Sequence, residues 1–164
     1  LLHYKIAVTY QAEGQWEKAI QQVENALKRF PRHPDYNKLA GACHARLGQW
    51  QQAIDHLALV VRSRPKTAAG WEALIKCLFD AGEYQEAYKQ SVRALGFTGG
   101  KTLFMYYQAA AFFALSEQTE GLTLLESAIT KSPNLLKRFM EVYPEALQHR
   151  SLVDLIAKYK RRRS

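Results

Sequence analysis

No stretch of this 164-residue sequence stays apolar for the roughly 18 residues that a membrane-spanning helix needs, so no such span is expected. Catalytic and nucleotide motifs are missing too. There is no G-x-S-x-G, no G-x-x-x-x-G-K and no H-E-x-x-H, which removes the nucleophile elbow, the phosphate loop and the helical zinc site. Gly96, Gly99 and Gly100 cluster beside Lys101, but no strand precedes them, and a connecting loop is the better reading. His3, His33, His56 and His149 lack ligand spacing. Cys43 and His44 are adjacent, so on a helix they point about 100° apart and cannot share a metal. Neither an enzyme nor a cofactor or metal is expected.

Cysteine is scarce. Cys43 and Cys77 are the two in the chain, 34 positions apart. That spacing places them at one position of a repeated unit, farther apart than the ~7 Å between Cα atoms that a disulfide tolerates. Buried small hydrophobes are the expected role, and nothing demands an oxidising compartment. The sequence opens on Leu1 without a charged-then-apolar leader, as expected of a piece of a longer product. Compartment stays open, with a cytoplasmic setting favoured.

Charge is present but unevenly placed. Lys158, Lys160, Arg161, Arg162 and Arg163 carry five of the positive charges, and removing them from the net +8 leaves +3. The body is mixed in sign, and the terminal run reads as a solvated tail before it reads as a nucleic-acid surface.

What the sequence does have is a period. GQWEKAIQQVENALKRFP at 14–31 returns as GQWQQAIDHLALVVRSRP at 48–65 and as GEYQEAYKQSVRALGFTG at 82–99. Gly recurs at 14, 48 and 82, an aromatic at 16, 50 and 84, and Ala at 19, 53 and 87. Ala26, Val60, Ala94 and Ala128 share one small or apolar position, and Pro31, Pro65 and Pro133 mark repeat ends. A fixed period of this length predicts one supersecondary unit stacked several times. Apolar residues at helical spacing (Trp16, Ala19, Ile20, Val23, Leu27) predict helices. Gly14 is expected to end the first helix, and Pro31 and Pro34 to stop the second. Helices joined so tightly pack antiparallel.

These positions resemble the tetratricopeptide repeat. The resemblance covers roughly residues 1–133, through approximate repeats 1–33, 34–67, 68–101 and 102–133. In the fourth, Ser116, Gln118 and Gly121 replace the Gly, aromatic and Ala, while Leu122, Leu125, Ala128, Ile129 and Pro133 keep the frame. The implied fold is all-α, a superhelix of antiparallel pairs, an A and a B helix in each. The joint GFTGG after repeat three is expected to be flexible. Residues 134–164 are expected to form capping helices and the basic tail. Leu135, Leu136, Phe139, Met140 and Tyr143 make one stripe, and Ser151 with Asp154 reads as a capping pair opening a last helix.

The resemblance further implies a protein–protein interaction module that binds a peptide or protein segment in a concave groove lined by the A helices. Carried over position by position, the groove takes Tyr4 and Lys5, Lys38 and Arg46, Lys76 and Phe79, then Tyr106, Tyr107 and Phe113. Aromatics beside Lys and Arg suit a ligand with apolar anchors and acidic groups. The alternative for Tyr106, Tyr107 and Phe113 is packing against the C-terminal helices. The carboxylate clamp that some members use on chaperone tails is disfavoured, because Tyr4, Val8, Leu39, Ala69 and Ala73 stand at its positions. Two other readings are a nucleic-acid-binding helical repeat using the basic tail, and a regulatory domain of a larger enzyme. Nucleic acid is disfavoured by the near-balanced body.

Overall fold

In the computed structural model, which describes residues 1–163, every regular element is a helix. Ser164, the end of the expected basic tail, lies outside the described residues, as does the side chain of Arg163. Contacts divide the chain into two compact units, one spanning Leu1–Ala81 and one beginning at Gly82.

The first unit contains α1 (Leu2–Ala12), α2 (Trp16–Arg29), α3 (Pro34–Arg46), α4 (Trp50–Ser63) and α5 (Ala68–Asp80). α1 pairs with α2 and α3 with α4, while α1, α3 and α5 also touch in series. The hairpin turns follow from glycine. Gly14 and Gly48 sit at φ of 73° and 71°, a left-handed geometry that glycine adopts without the clash a Cβ would bring. Past each of them the chain closes back on the helix. The Gln15 N–H donates to the Tyr10 carbonyl at 2.8 Å, and the Gln49 N–H to His44 at 2.9 Å. Pro34 does not stop α2 as expected. That helix already ends at Arg29, and Pro34 opens α3, where its missing N–H would have had no partner.

Small residues set the spacing of the pairs. Ala7, Ala19, Ile20, Val23 and Ala26 meet Tyr36, Leu39, Ala40 and Cys43 in one apolar cluster. Gly41 lets α4 approach so closely that a Cβ there would fall 2.8 Å from Leu57 Cγ. Cys43 and Cys77 are buried free thiols, and burial pushes both up to about 11. They pack as small hydrophobes in the neutral form.

The second unit contains α6 (Tyr84–Phe97), α7 (Thr102–Ala114), α8 (Gln118–Lys131), α9 (Leu136–Val142) and α10 (Arg150–Arg163). Single 3-10 turns at Pro133–Leu135 and Pro144–Gln148 separate the last three. α7 packs on α6, α8 and α9, and α10 lies on α8. Residues after Pro133 therefore form one body with α7 and α8. The GFTGG joint is tighter than its composition suggests. α6 runs through Gly96, the Thr98 hydroxyl donates to the Ala94 carbonyl at 2.7 Å, and the Gly100 N–H reaches Leu95 at 2.8 Å.

Ser151 is not a cap. α10 starts one residue earlier, and the N–H groups of Leu152 and Val153 both reach the His149 carbonyl. The extended backbone of His149, which leaves the second 3-10 turn, fixes that start.

Ser116 takes the place that glycine holds in the earlier turns and adopts the same left-handed backbone, φ 63°. Its neighbour repeats the closure too, the Glu117 N–H donating to Phe112 at 2.8 Å. A non-glycine residue pays steric strain there, and exposed Ser116 offers no packing in return. Ser116→Gly should therefore stabilise the protein by about 0.5–1 kcal/mol, after the extra freedom of glycine in the unfolded chain is counted. A higher urea midpoint at unchanged slope is the expected readout.

Candidate peptide-binding face

α1, α3 and α5 lie in sequence along one side of the first unit, so residues at equivalent helix positions come to one face. Lys5 on α1 and Lys38 and Arg46 on α3 are exposed, at three different positions of the repeat. The Arg46 guanidinium rests over the Trp16 ring at 4.8 Å, a contact that holds it while leaving its N–H edges available. Lys76 is half-buried and ion-paired with Glu72 at 3.2 Å. Burial raises the Asp80 carboxyl, with Lys76 opposing that shift. The α5 end of the face is thus largely self-neutralised. Of these cations, Lys5, Lys38 and Arg46 on α1 and α3 have no carboxylate partner among the described residues.

Tyr4 is half-buried at the edge of the apolar cluster, its ring 5.0 Å from Tyr36, which in turn stacks on His33 at 3.8 Å. Burial raises its hydroxyl first, and Asp35 and Tyr36 add to that. Tyr4 can offer a ring edge and a neutral hydroxyl to a ligand.

The apolar anchors expected from the sequence are elsewhere. Phe79 is 5% exposed, Tyr106 and Tyr107 are 0%, and Phe113 is 1%. In the second unit the cause is visible: α9 lays Phe139 against α7, with ring centres 6.4 Å from Tyr106 and 6.1 Å from Phe113. The Tyr106 hydroxyl donates to the Ser132 carbonyl at 2.7 Å, and burial, reinforced by Tyr159, pushes it up to about 12. Tyr106 and Phe113 hold α9, and Tyr107 and Phe79 are buried as well, so Tyr106, Tyr107, Phe113 and Phe79 are withdrawn as ligand anchors.

The sequence reading missed a polar thread between α3 and α4. His56 Nδ1 meets Asn37 Oδ1 at 2.8 Å, and the Asn37 amide donates to the carbonyls of Pro31 and His33, each at 3.0 Å. His44 stacks on His56 at 5.5 Å and meets Gln49 at 2.6 Å. Burial, then His44, lowers the His56 pKa. Asn37 and His44 stand seven apart, one face of a helix, which was legible; the partner on α4 was not. Among the described residues no three His, Cys, Asp or Glu groups gather as metal ligands.

Set against protein-family models, the chain matches the tetratricopeptide repeat over residues 4–66 and again over 46–97. The chain belongs to the tetratricopeptide repeat (TPR) family. The TPR repeat-containing protein YpiA of Bacillus subtilis is 27% identical over 161 residues, which is 94% of this chain and 37% of that protein. The heat-shock protein cognate co-chaperone sgt12 of Aspergillus fumigatus is 28% identical over 95 residues, 56% of this chain and 28% of its own. The chain thus spans well under half the length of these relatives. Among solved structures, MamA superposes with a TM-score of 0.75 at 20% identity, covering 98% of this chain and 87% of MamA. YrrB, described as a TPR protein with an unusual peptide-binding site, gives 0.72 at 18%, covering 90% and 73%. At these identities the likeness is one of fold: an all-α TPR solenoid.

Proposed function

We propose that this TPR chain is a non-catalytic interaction module that holds an acidic segment of a partner protein along the α1–α3 part of its first unit. The carrying observation is the exposure of Lys5, Lys38 and Arg46 on adjacent A helices, with half-buried Tyr4 against Tyr36 and the Glu72–Lys76 pair on α5. Such a face steers and registers a carboxylate-bearing strand more than it grips it, because exposed charge pairs contribute modestly one by one. The peptide-binding site of YrrB supports the class of ligand. The carboxylate clamp remains disfavoured, since buried Leu39 occupies one of its positions.

The test is charge reversal against peptides selected on the parent protein by display. Selected sequences should be acid-rich, and the double change Lys38→Glu with Arg46→Glu should weaken them about tenfold, near 1.4 kcal/mol. Adding Glu72→Gln with Lys76→Gln should do little more, because that change removes a pair that is already neutral. Anisotropy titrations that give equal affinity for parent and double variant would remove the site from this face.

A further inference from the structure

A cleft of about 540 Å³ opens in the second unit, framed by α8, the 3-10 turn at Pro133–Leu135, α9 and α10. Its floor is aliphatic: Ile129 from α8 with Leu136 and Met140 from α9. Two ammonium groups stand on different walls, Lys137 on α9 and Lys160 on α10. Tyr159 forms part of the α10 wall and is braced from two sides. Its hydroxyl meets the Thr130 hydroxyl at 2.9 Å, and the Arg162 guanidinium covers its ring at 5.8 Å. The cleft therefore has a set shape before any ligand arrives.

Charge decides what would fill it. On α10 the cleft side carries Lys160 and, over the ring of Tyr159, Arg162, while Lys158 faces a separate hollow with Asp154 and Glu126. The acid at the cleft, Glu141, is engaged with Lys137 at 3.9 Å in a solvent-exposed pair that gives way readily to a better partner. An aliphatic floor of this size takes one or two bulky apolar side chains, and a rim of excess positive charge takes carboxylates on either side of them. We infer that this cleft is a second docking site, for a protein segment that presents bulky apolar side chains flanked by acidic residues. It lies outside the A-helix face of the first unit and stands independently of the function proposed for that face.

The two methionines of the chain make the test local. Met140 lines the cleft, and Met105 is 7% exposed within α7, so methyl-13C-methionine NMR reports the site and a control in one spectrum. The probe is the synthetic peptide acetyl-Asp-Asp-Trp-Leu-Asp-Asp-amide, with one analogue carrying Lys for every Asp and another carrying Ser-Ser for Trp-Leu. The acidic peptide should shift the Met140 methyl saturably and leave Met105 in place, and neither analogue should do so. Lys137→Glu with Lys160→Glu changes two exposed residues, an unmoved Met105 signal confirms its fold, and it should weaken the probe about tenfold. Lys38→Glu with Arg46→Glu should leave the Met140 titration unchanged. The inference is overturned if Met140 does not respond, if the lysine analogue moves it equally, if the cleft double variant binds as the parent does, or if the first-unit variant abolishes the response.

Discussion

Phe139→Ala should cost about 3–5 kcal/mol, a large part of the 5–15 kcal/mol that holds a typical domain together. The reason is position more than size. Phe139 is fully buried and touches Tyr106 and Phe113, so its ring sits at the centre of the aromatic contacts between α9 and α7. α9 is only seven residues long, too short to persist by its own helix propensity. Without the ring, α9 loses its anchor, and the aromatic surface of α7 meets water. Circular dichroism in urea should show the loss directly. Trp16, Trp50 and Trp71 all lie in the first unit, so tryptophan emission reads that unit alone. Phe139→Leu, which keeps most of the volume, should recover more than half of the midpoint. A Phe139→Ala protein that matches the parent in both signals would mean that α9 does not hold the second unit together.

Trp71→Ala should be as damaging to the first unit. Trp71 is 1% exposed in α5, and its indole N–H donates to the Pro65 carbonyl at 2.7 Å, tying the start of α5 to the loop that follows α4. Truncation removes a large buried surface, about 3–5 kcal/mol, and strips that carbonyl of its donor. Trp71→Phe separates the two contributions: it retains a ring and loses the hydrogen bond, for an expected cost of about 1–2 kcal/mol. Equilibrium urea unfolding followed by the remaining tryptophans, Trp16 and Trp50, measures both variants. Equal midpoints for the phenylalanine and alanine variants would show that the hydrogen bond, not the packed ring, carries the residue's contribution.

The repeat frame was legible because its signals are local. Gly14, Gly48 and Gly82 mark turns by a backbone requirement, and Ala19, Ala53 and Ala87 mark the close approach of helices, so neither depends on distant parts of the chain. Even the exception at Ser116 could be located in the period, though not its left-handed backbone. The candidate site was less legible. Tyr106, Tyr107 and Phe113 lie at helical spacing, and that pattern is the same whether the covering surface belongs to a ligand or to the chain's own α9. Only the three-dimensional placement of Phe139 decides it. The cleft was hidden for a related reason: Ile129, Met140 and Lys160 come from three helices with no common period. Lys5, Lys38 and Arg46 were assigned by position in the repeat, and the neutralising role of Glu72 beside Lys76 needed side-chain geometry.

The short α9 stands beside α7 where, in the first unit, one A helix stands beside another. It takes the place of a next A helix on α7, and it closes the row as a bookend does. A protein engineer lengthening this scaffold would have to splice new hairpins in ahead of Pro133, since units appended behind α10 would find the docking face of α7 already taken.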